Sequence, residues 1–360
     1  MTGARTSNDR DAADVLVIGN GVIGLSIALA VCRMGGSCHV IGKTIDGQAS
    51  SASAGLLASS LGVSTPAFRA FMRASRDRYP EWIHWLAERT GIEVTLDRRG
   101  ILEVYPGTDD VVRDGARRLD TAELHTLEPA LVPSSGAVLH PDDGYVDNVA
   151  LLRALYEALR CEWPVQFVDG RGASIDPSSH GCSVRTEDGR VLRGGSVVLA
   201  AGAWSPLVAG IPRPVLVEPV RGQMLLLGSS PLTHAVSTPS AYLVPRGERT
   251  LVGSTLERVG FDNRTTSAAG EHLRTAAISA VPELQHAAVL DSWAGLRPMT
   301  PDGIPILGRD PDAASLVYAC GHGKNGILLA PLTAECIAAT IAHAHLPFDL
   351  SPFAVDRFAL

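Results

Sequence analysis

Three glycines limit what this chain can fold into. Gly19, Gly21 and Gly24 stand in G-x-G-x-x-G spacing between an apolar run, Val15 to Ile18, and a stretch of helical length, Val22 to Met34. Gly35-Gly36 stops that helix and His39 to Ile41 starts a second strand. Residues 14–55 therefore read as a βαβ unit with its glycines in the first turn. Gly19 makes the tight turn, Gly21 lets backbone approach a pyrophosphate, and Gly24 lets helix pack close on strand. The open N–H groups at the helix start, including those of Val22 and Ile23, then hold anionic phosphates. This context favours a bound dinucleotide over a glycine-rich turn with no ligand.

The unit departs from the usual pattern at its far end. The second strand should close in Asp or Glu about 20 residues after the glycines, to accept ribose hydroxyls. Here the chain reads His39-Val40-Ile41-Gly42-Lys43-Thr44. One reading sends Lys43 to a 2′-phosphate, hence NADP; the other has Lys43 and Thr44 contact an ordinary ribose or phosphate. The unit alone leaves both open.

At 360 residues the chain exceeds one ordinary domain, and 46% hydrophobic residues supply a sizeable core. A net charge of −7 argues against non-specific nucleic-acid binding. The most apolar stretch, Ile327 to Ala342, is interrupted by Pro331 and Glu335, so no membrane span is expected. The N-terminus lacks an apolar signal region, and residues 1–12 read as a disordered tail. Six cysteines without C-x-x-C pairing read as buried thiols in a reducing cytoplasm, and the 11 histidines show no metal-ligand spacing.

Further along, Ala49 to Leu57 is small and hydroxyl-rich. It reads either as a flexible linker or as a segment lining a diphosphate or flavin edge through Ser50, Ser51, Ala54, Gly55 and Leu56. Pro66 to Arg89 reads as one long amphipathic helix whose Phe68, Phe71, Trp82 and Trp85 are core. Ile92 to Leu96 and Gly100 to Tyr105 look like a hairpin. One or two short helices are expected in Asp109 to Glu128 and a strand at Ala137 to His140. Next come a helix from Asn148, its N-cap, to Arg160, and a strand ending at Val168. Val191 to Leu199 runs into Ala201-Gly202-Ala203-Trp204, small residues that suit backbone packed on a ligand. Antiparallel-looking segments follow from Pro214 to Ser254. Then come a helix Thr266 to Ala280, strands Val289 to Arg297 and Val317 to Cys320, and a last helix Gly326 to His343.

VIGNGVIG, SSASAGLL, VVLAAGAWS, WAGLRPMTPDGIPILG (Trp293 to Gly308) and GHGKNGILLAP (Gly321 to Pro331) coincide in one chain. Together they resemble the FAD-dependent D-amino-acid oxidase superfamily, within it the glycine oxidases of the thiamine-pathway type, over residues 13–345. The resemblance implies FAD rather than NADP. It implies an α/β glutathione-reductase-like (Rossmann) FAD-binding domain intertwined with an α+β, antiparallel substrate domain. The expected boundaries are 13–90, 146–213 and 292–345 for the first, and 91–145 and 214–291 for the second. Gly42 departs from the family, which carries an acid there.

Site residues follow from the same match. Arg297 is expected to fork onto a substrate carboxylate, against the alternative of a structural ion pair. Tyr242 is expected to place its hydroxyl near that carboxylate, against an ordinary core tyrosine. Lys324 sits before the last helix. It is read as stabilising charge on the flavin, as meeting a second anionic group of the substrate, or as a solvated lysine. Leu56 joins these three in contacting substrate. Cofactor contacts are expected from Gly19, Gly21, Val22, Ile23, Gly24, Lys43, Thr44, Ser50, Ser51, Ala54, Gly55, Leu56, Val168, Ala201, Gly202, Trp204, His322, Gly323, Asn325, Gly326, Ile327 and Leu328. Gly55, Leu56 and Ile327 to Leu329 are read as the dry surface over the ring, and no metal is expected. The implied reaction oxidises glycine or an N-substituted glycine in the cytoplasm, with O2 as acceptor. Homo-oligomerisation is left open. Three competing readings are a dehydrogenase passing electrons to a carrier, an NADP-dependent oxidoreductase and a non-catalytic flavin-binding partner.

Overall fold

A computed structural model describes residues 12–62, 64–104, 115–133, 136–178 and 181–358. The opening unit is β1 (Ala12–Ile18), α1 (Val22–Arg33) and β2 (Cys38–Ile41). Alternate residues of β1 face two different cores, Val15 and Val17 one, Leu16 and Ile18 the other. A strand buried on both faces needs an unbroken apolar run, which is what Val15 to Ile18 supplies. Of the expected tail, residues 1–11 lie outside the described residues, and Ala12 already pairs in β1.

A short helix α2 (Ala49–Ala52) and β3 (Leu56–Leu57) follow. The long helix expected at Pro66 to Arg89 is two helices, α3 (Pro66–Arg76) and α4 (Tyr79–Thr90). Pro80 lies in the first turn of α4, where a missing N–H costs nothing; inside a continuous helix it would clash with the preceding turn. The aromatic stripe is core as expected: Phe68 and Phe71 are buried in the first core, and Trp82 and Trp85 pack against the same core partly buried.

β4 (Leu96–Asp97) and β5 (Ile101–Val104) do not form the expected hairpin. β4 joins a three-stranded sheet with β3 and β8 (Gly144–Val146), while β5 enters a different sheet. Of the stretch expected to hold short helices, residues 105–114 lie outside the described residues. The rest holds β6 (Arg117–Leu119) and α5 (Thr121–Leu127), the latter closed by an Asp120/Glu123 capping box. β7 (Ala137–His140) stands where expected.

α6 (Asn148–Glu162) begins at Asn148, but its cap is Asp147, whose carboxylate accepts from the Val149 and Ala150 N–H groups. The Asn148 amide instead donates to the Ser50 and Ser51 carbonyls, which pins α2. β9 (Gln166–Val168), the hairpin β10 (Gly172–Ser178) and β11 (Gly181–Thr186), and β12 (Val191–Leu199) complete most of the first sheet, ordered β10-β11-β12-β1-β2-β9. β1, β2, β9 and β12 run parallel.

The remaining strands are β13 (Glu218–Leu227), β14 (Ala235–Ser237), β15 (Tyr242–Arg246), β16 (Arg249–Gly253) and β17 (Val289–Met299). They form the second sheet, β17-β13-β16-β15-β14-β5-β7-β6, in which only β14 and β5 run parallel. α7 (Ser267–Ala280), N-capped by Thr266, packs its Leu273 and Ala277 into the core beneath that sheet. β18 (Ile306–Arg309) and β19 (Leu316–Cys320) return to the first sheet, with β19 parallel to β12. The last long helix is α8 (Gly326–Ile341).

α8 contains Pro331, which cannot donate to the Ile327 carbonyl one turn back. The fully buried Tyr79 hydroxyl takes over, donating to Ile327 O at 2.5 Å. An otherwise orphaned backbone acceptor is thereby satisfied at the start of α8, beside the site described next.

Candidate active site and cofactor cleft

One cavity of about 720 Å³ runs between the two large sheets, within the size range of small-molecule sites, roughly 300–1,000 Å³. Its walls come from the β1–α1 turn, the end of β2, residues 48–56, the ends of β12 and β17, and the turn before α8.

The glycine turn is shaped for a phosphate-bearing ligand. A Cβ on Gly19, where φ is +120°, would sit 2.2 Å from the Ala200 carbonyl oxygen. One on Gly24 would sit 1.9 Å from Gly19 O, so helix and turn meet backbone to backbone. α1 has no side-chain cap of its own at Gly21; its Val22 N–H is met from outside by Ser50 Oγ at 3.0 Å. The first turn of a 12-residue helix thus opens on the cavity, suited to a diphosphate. These residues fit a diphosphate such as the pyrophosphate of FAD, which the open first turn of α1 and its glycines would hold.

At the other end, Arg297 lines the wall from β17. Its Nη1 donates to Thr255 O at 3.1 Å and its Nη2 to Ser254 Oγ at 2.5 Å. Among the described residues no carboxylate lies within ion-pair reach, so the donors not used by Thr255, Ser254 and the adjoining Tyr242 hydroxyl are left for a ligand. Gly222 on the neighbouring strand makes room, because a Cβ there would lie 2.1 Å from Arg297 Nη2. Gly253 does the same for Tyr242, whose ring carbon would be 2.7 Å from an added Cβ. The Tyr242 hydroxyl contacts Met224 Sδ at 3.3 Å. Burial raises its pKa, opposed by the Arg297 charge, so it stays a neutral hydroxyl.

Lys324 is exposed, but its surface faces this cavity. Its Nζ lies 3.7 Å from where a Gly62 Cβ would stand. Burial lowers its pKa, and the nearby Arg297 charge lowers it further. No acid pairs with it among the described residues. His322 is enclosed, with Nε2 3.3 Å from Thr333 Oγ1. Burial pushes its pKa down to about 3, which keeps the ring neutral.

Most of the residues expected at the site line the cavity: Gly19, Gly21, Val22, Ile23, Lys43, Ser50, Ala54, Gly55, Leu56, Ala201, Gly202, Trp204, Tyr242, Arg297 and the run 322–327. Several do not. Gly24 lies behind the turn, packed on Gly19. Thr44 is off the wall. Ser51 points away, its hydroxyl donating to Gln48 O. Val168 uses its carbonyl to accept from Gly42 N–H and buries its side chain in the second core. Arg171 to Ala173 take that stretch of wall instead, where the pairing of β10 slips register between Gly172 and Ser174. Leu328 and Leu329 face the core behind α8, since only one face of a helix meets the cavity. The sequence reading missed Asn20, Gln48, Gly222, Met224, Ser254 and Thr255. For Gly222 the signal was present: a lone glycine within a strand marks a close approach.

The profile of the FAD dependent oxidoreductase family, DAO, matches residues 14–340. The chain belongs to this family. As an FAD dependent oxidoreductase it takes FAD, as the sequence resemblance implied, and the NADP alternative falls. Glycine oxidase of Geobacillus kaustophilus (strain HTA426) is 32% identical over 366 residues, covering 96% of this chain and 97% of the relative. A crystal structure of glycine oxidase from Geobacillus kaustophilus superposes with a TM-score of 0.92 at 29% identity, covering 97% of this chain and all of that one. The bifunctional protein ThiO/ThiG of Nostoc sp. (strain PCC 7120 / SAG 25.82 / UTEX 2576) is 35% identical over 364 residues, covering 96% of this chain but 55% of the relative. The chain therefore spans about half the length of that bifunctional relative. Among the described residues no helix is long and apolar enough to cross a membrane.

Proposed function

We propose that the protein is an FAD-dependent oxidase of glycine or an N-substituted glycine. The balanced reaction is R–NH–CH2–COO⁻ + O2 + H2O → OHC–COO⁻ + R–NH2 + H2O2, with an imine hydrolysed on the way. The observation that carries it is Arg297: a guanidinium with no acid partner among the described residues, set on the wall of a dinucleotide cleft beside a neutral tyrosine hydroxyl. The likeness to glycine oxidases supports it.

When bound, FAD supplies the two-electron acceptor for the Cα–H bond and passes the pair to O2. Arg297 takes the substrate carboxylate through two parallel hydrogen bonds, and Tyr242 adds a third donor. Fixing the carboxylate fixes the direction of the Cα–H bonds, so catalysis is largely alignment. No residue is needed as a strong base, since the substrate amine reacts neutral. Lys324 adds positive charge where negative charge develops, and it also suits a second carboxylate on the N-substituent. In this reading residues 13–90, 146–213 and the part of 292–345 beyond β17 form the FAD-binding domain, and 91–145 and 214–291 the substrate domain together with β17, which pairs with β13 in the second sheet.

Purified protein incubated with glycine, sarcosine and longer N-alkylglycines should release peroxide with at least one of them. Reduction of a dye or quinone by these substrates without peroxide would move the assignment to a dehydrogenase. No turnover with either acceptor would overturn it.

A further inference from the structure

The adenosine end of the cleft lacks the acid that normally closes β2. Gly42 stands in its place, and the space above it is filled from the opposite side. A Cβ on Gly42 would lie 2.7 Å from Asn20 Cγ, 2.8 Å from Asn20 Cβ and 2.9 Å from Asn20 N. Glycine at 42 and a branched polar side chain at 20, the middle of G-x-G, are thus two halves of one arrangement. Two of these three contacts are with the Asn20 side chain, so it and an acid at 42 compete for the same space.

Gln48 completes the arrangement. Its Nε2 donates to Asn20 Oδ1 at 3.1 Å and to Lys43 O at 3.2 Å. Both Nε2 hydrogens are thereby used, which orients the amide. Gln48 Oε1 is left as an acceptor and Asn20 Nδ2 as a donor, neither with a protein partner among the described residues. Both side chains line the cavity. A ribose diol offers two O–H groups and their lone pairs. A carboxylate meets it with acceptors alone; this amide pair meets it with an acceptor and a donor. The nearby acid, Glu187, is already engaged by Arg171 at 2.6 Å and Lys43 at 3.7 Å.

We propose that the Asn20–Gln48 amide pair holds the ribose hydroxyls of the adenosine half of FAD, in place of the missing acid. The inference rests on FAD being the cofactor and is independent of the substrate assignment.

The test titrates flavin-free protein with FAD and with an FAD analogue lacking the adenosine 2′- and 3′-hydroxyls, following flavin fluorescence. Wild type should bind FAD about tenfold or more tighter than the analogue, the effect of one or two hydrogen bonds. Asn20→Ala and Gln48→Leu should bind the two flavins within about twofold of each other, the FAD affinity having fallen to the level of the analogue. Gly42→Glu alone should weaken FAD binding by about 10-fold or more, and Asn20→Gly added to it, which removes the two side-chain contacts, should recover part of that loss; no recovery overturns the shared-space argument. A purely structural role would weaken both flavins equally and keep their ratio, which overturns the proposal. So would wild type that does not distinguish the two flavins, or discrimination that vanishes in Glu187→Gln but survives in Asn20→Ala and Gln48→Leu.

Discussion

Replacing Arg297 tests the alignment argument most directly. Among the described residues no acid competes for the guanidinium, and Thr255 and Ser254 take only two of its five donors, so a substrate carboxylate is expected to gain two charge-assisted bonds. Each is worth about 1.5–3 kcal/mol, and imperfect additivity leaves the pair at roughly 3–5 kcal/mol. Arg297→Met should therefore lower kcat/KM by about 10²–10⁴-fold. Arg297→Lys keeps the charge but not the fork, and should fall between, at about 10–100-fold. The split between constants is informative. If the anchor only binds, KM rises alone; if it also aims the Cα–H bond, kcat falls as well. Peroxide-coupled initial rates give both constants, and the visible flavin spectrum shows whether FAD is retained. A fully flavinated Arg297→Met enzyme with kcat/KM within about threefold of wild type would refute the reasoning.

Tyr79→Phe leaves the Ile327 carbonyl buried without a donor and should cost about 1–3 kcal/mol in urea unfolding; unchanged stability would mean that carbonyl is met otherwise. Gly24→Ala drives a Cβ against backbone 1.9 Å away, so it should purify without flavin and melt several degrees lower; a yellow, wild-type-like protein would contradict the close packing. Glu128→Leu removes a fully buried carboxylate that accepts from the Thr233 and His234 N–H groups and pairs with His234. A loss of about 3–5 kcal/mol is expected, and one below about 1 kcal/mol would show the cluster to be dispensable. His322 has a folded pKa near 3 against an ordinary 6.5, so the unfolded chain takes up its proton first as pH falls. Its contribution to stability is full above about pH 6.5 and declines toward pH 3, at most about 1.4 kcal/mol per unit. His322→Gln should flatten that part of the stability profile, and an unaltered slope would place the acid sensitivity elsewhere.

What could be read from the chain was local. Val15 to Ile18 and the glycine spacing announce a strand, a turn and a helix because all three signals lie within twenty residues. Arg297 and the turn at Gly321 to Gly326 were legible through motifs that persist as unbroken strings. The misreadings share a different cause. Ile92 to Leu96 and Gly100 to Tyr105 look like a hairpin from their spacing, yet the strands that form there, Leu96–Asp97 and Ile101–Val104, each find partners in distant strands. Asn148 looks like a cap until Ser50 and Ser51, nearly a hundred residues earlier, claim its amide. Arg171 to Ala173 reach the cleft through a register slip that no periodicity encodes. The exchange between Gly42 and Asn20 was half visible: the missing acid was evident, but the side chain that fills its place became evident only with β2 folded beside the turn.

β17 carries a consequence beyond holding Arg297. It pairs along its length with β13, yet Leu296 N–H reaches Gly47 O, Trp293 Nε1 reaches Ala52 O, and Met299 bridges to His322. The strand is thus riveted to the floor and the roof of the cleft at once. Sliding one sheet over the other would have to tear these rivets before the guanidinium lost its bearing on the cofactor side. A substitution in the loops around the mouth should therefore leave the aim of the Arg297 guanidinium unchanged.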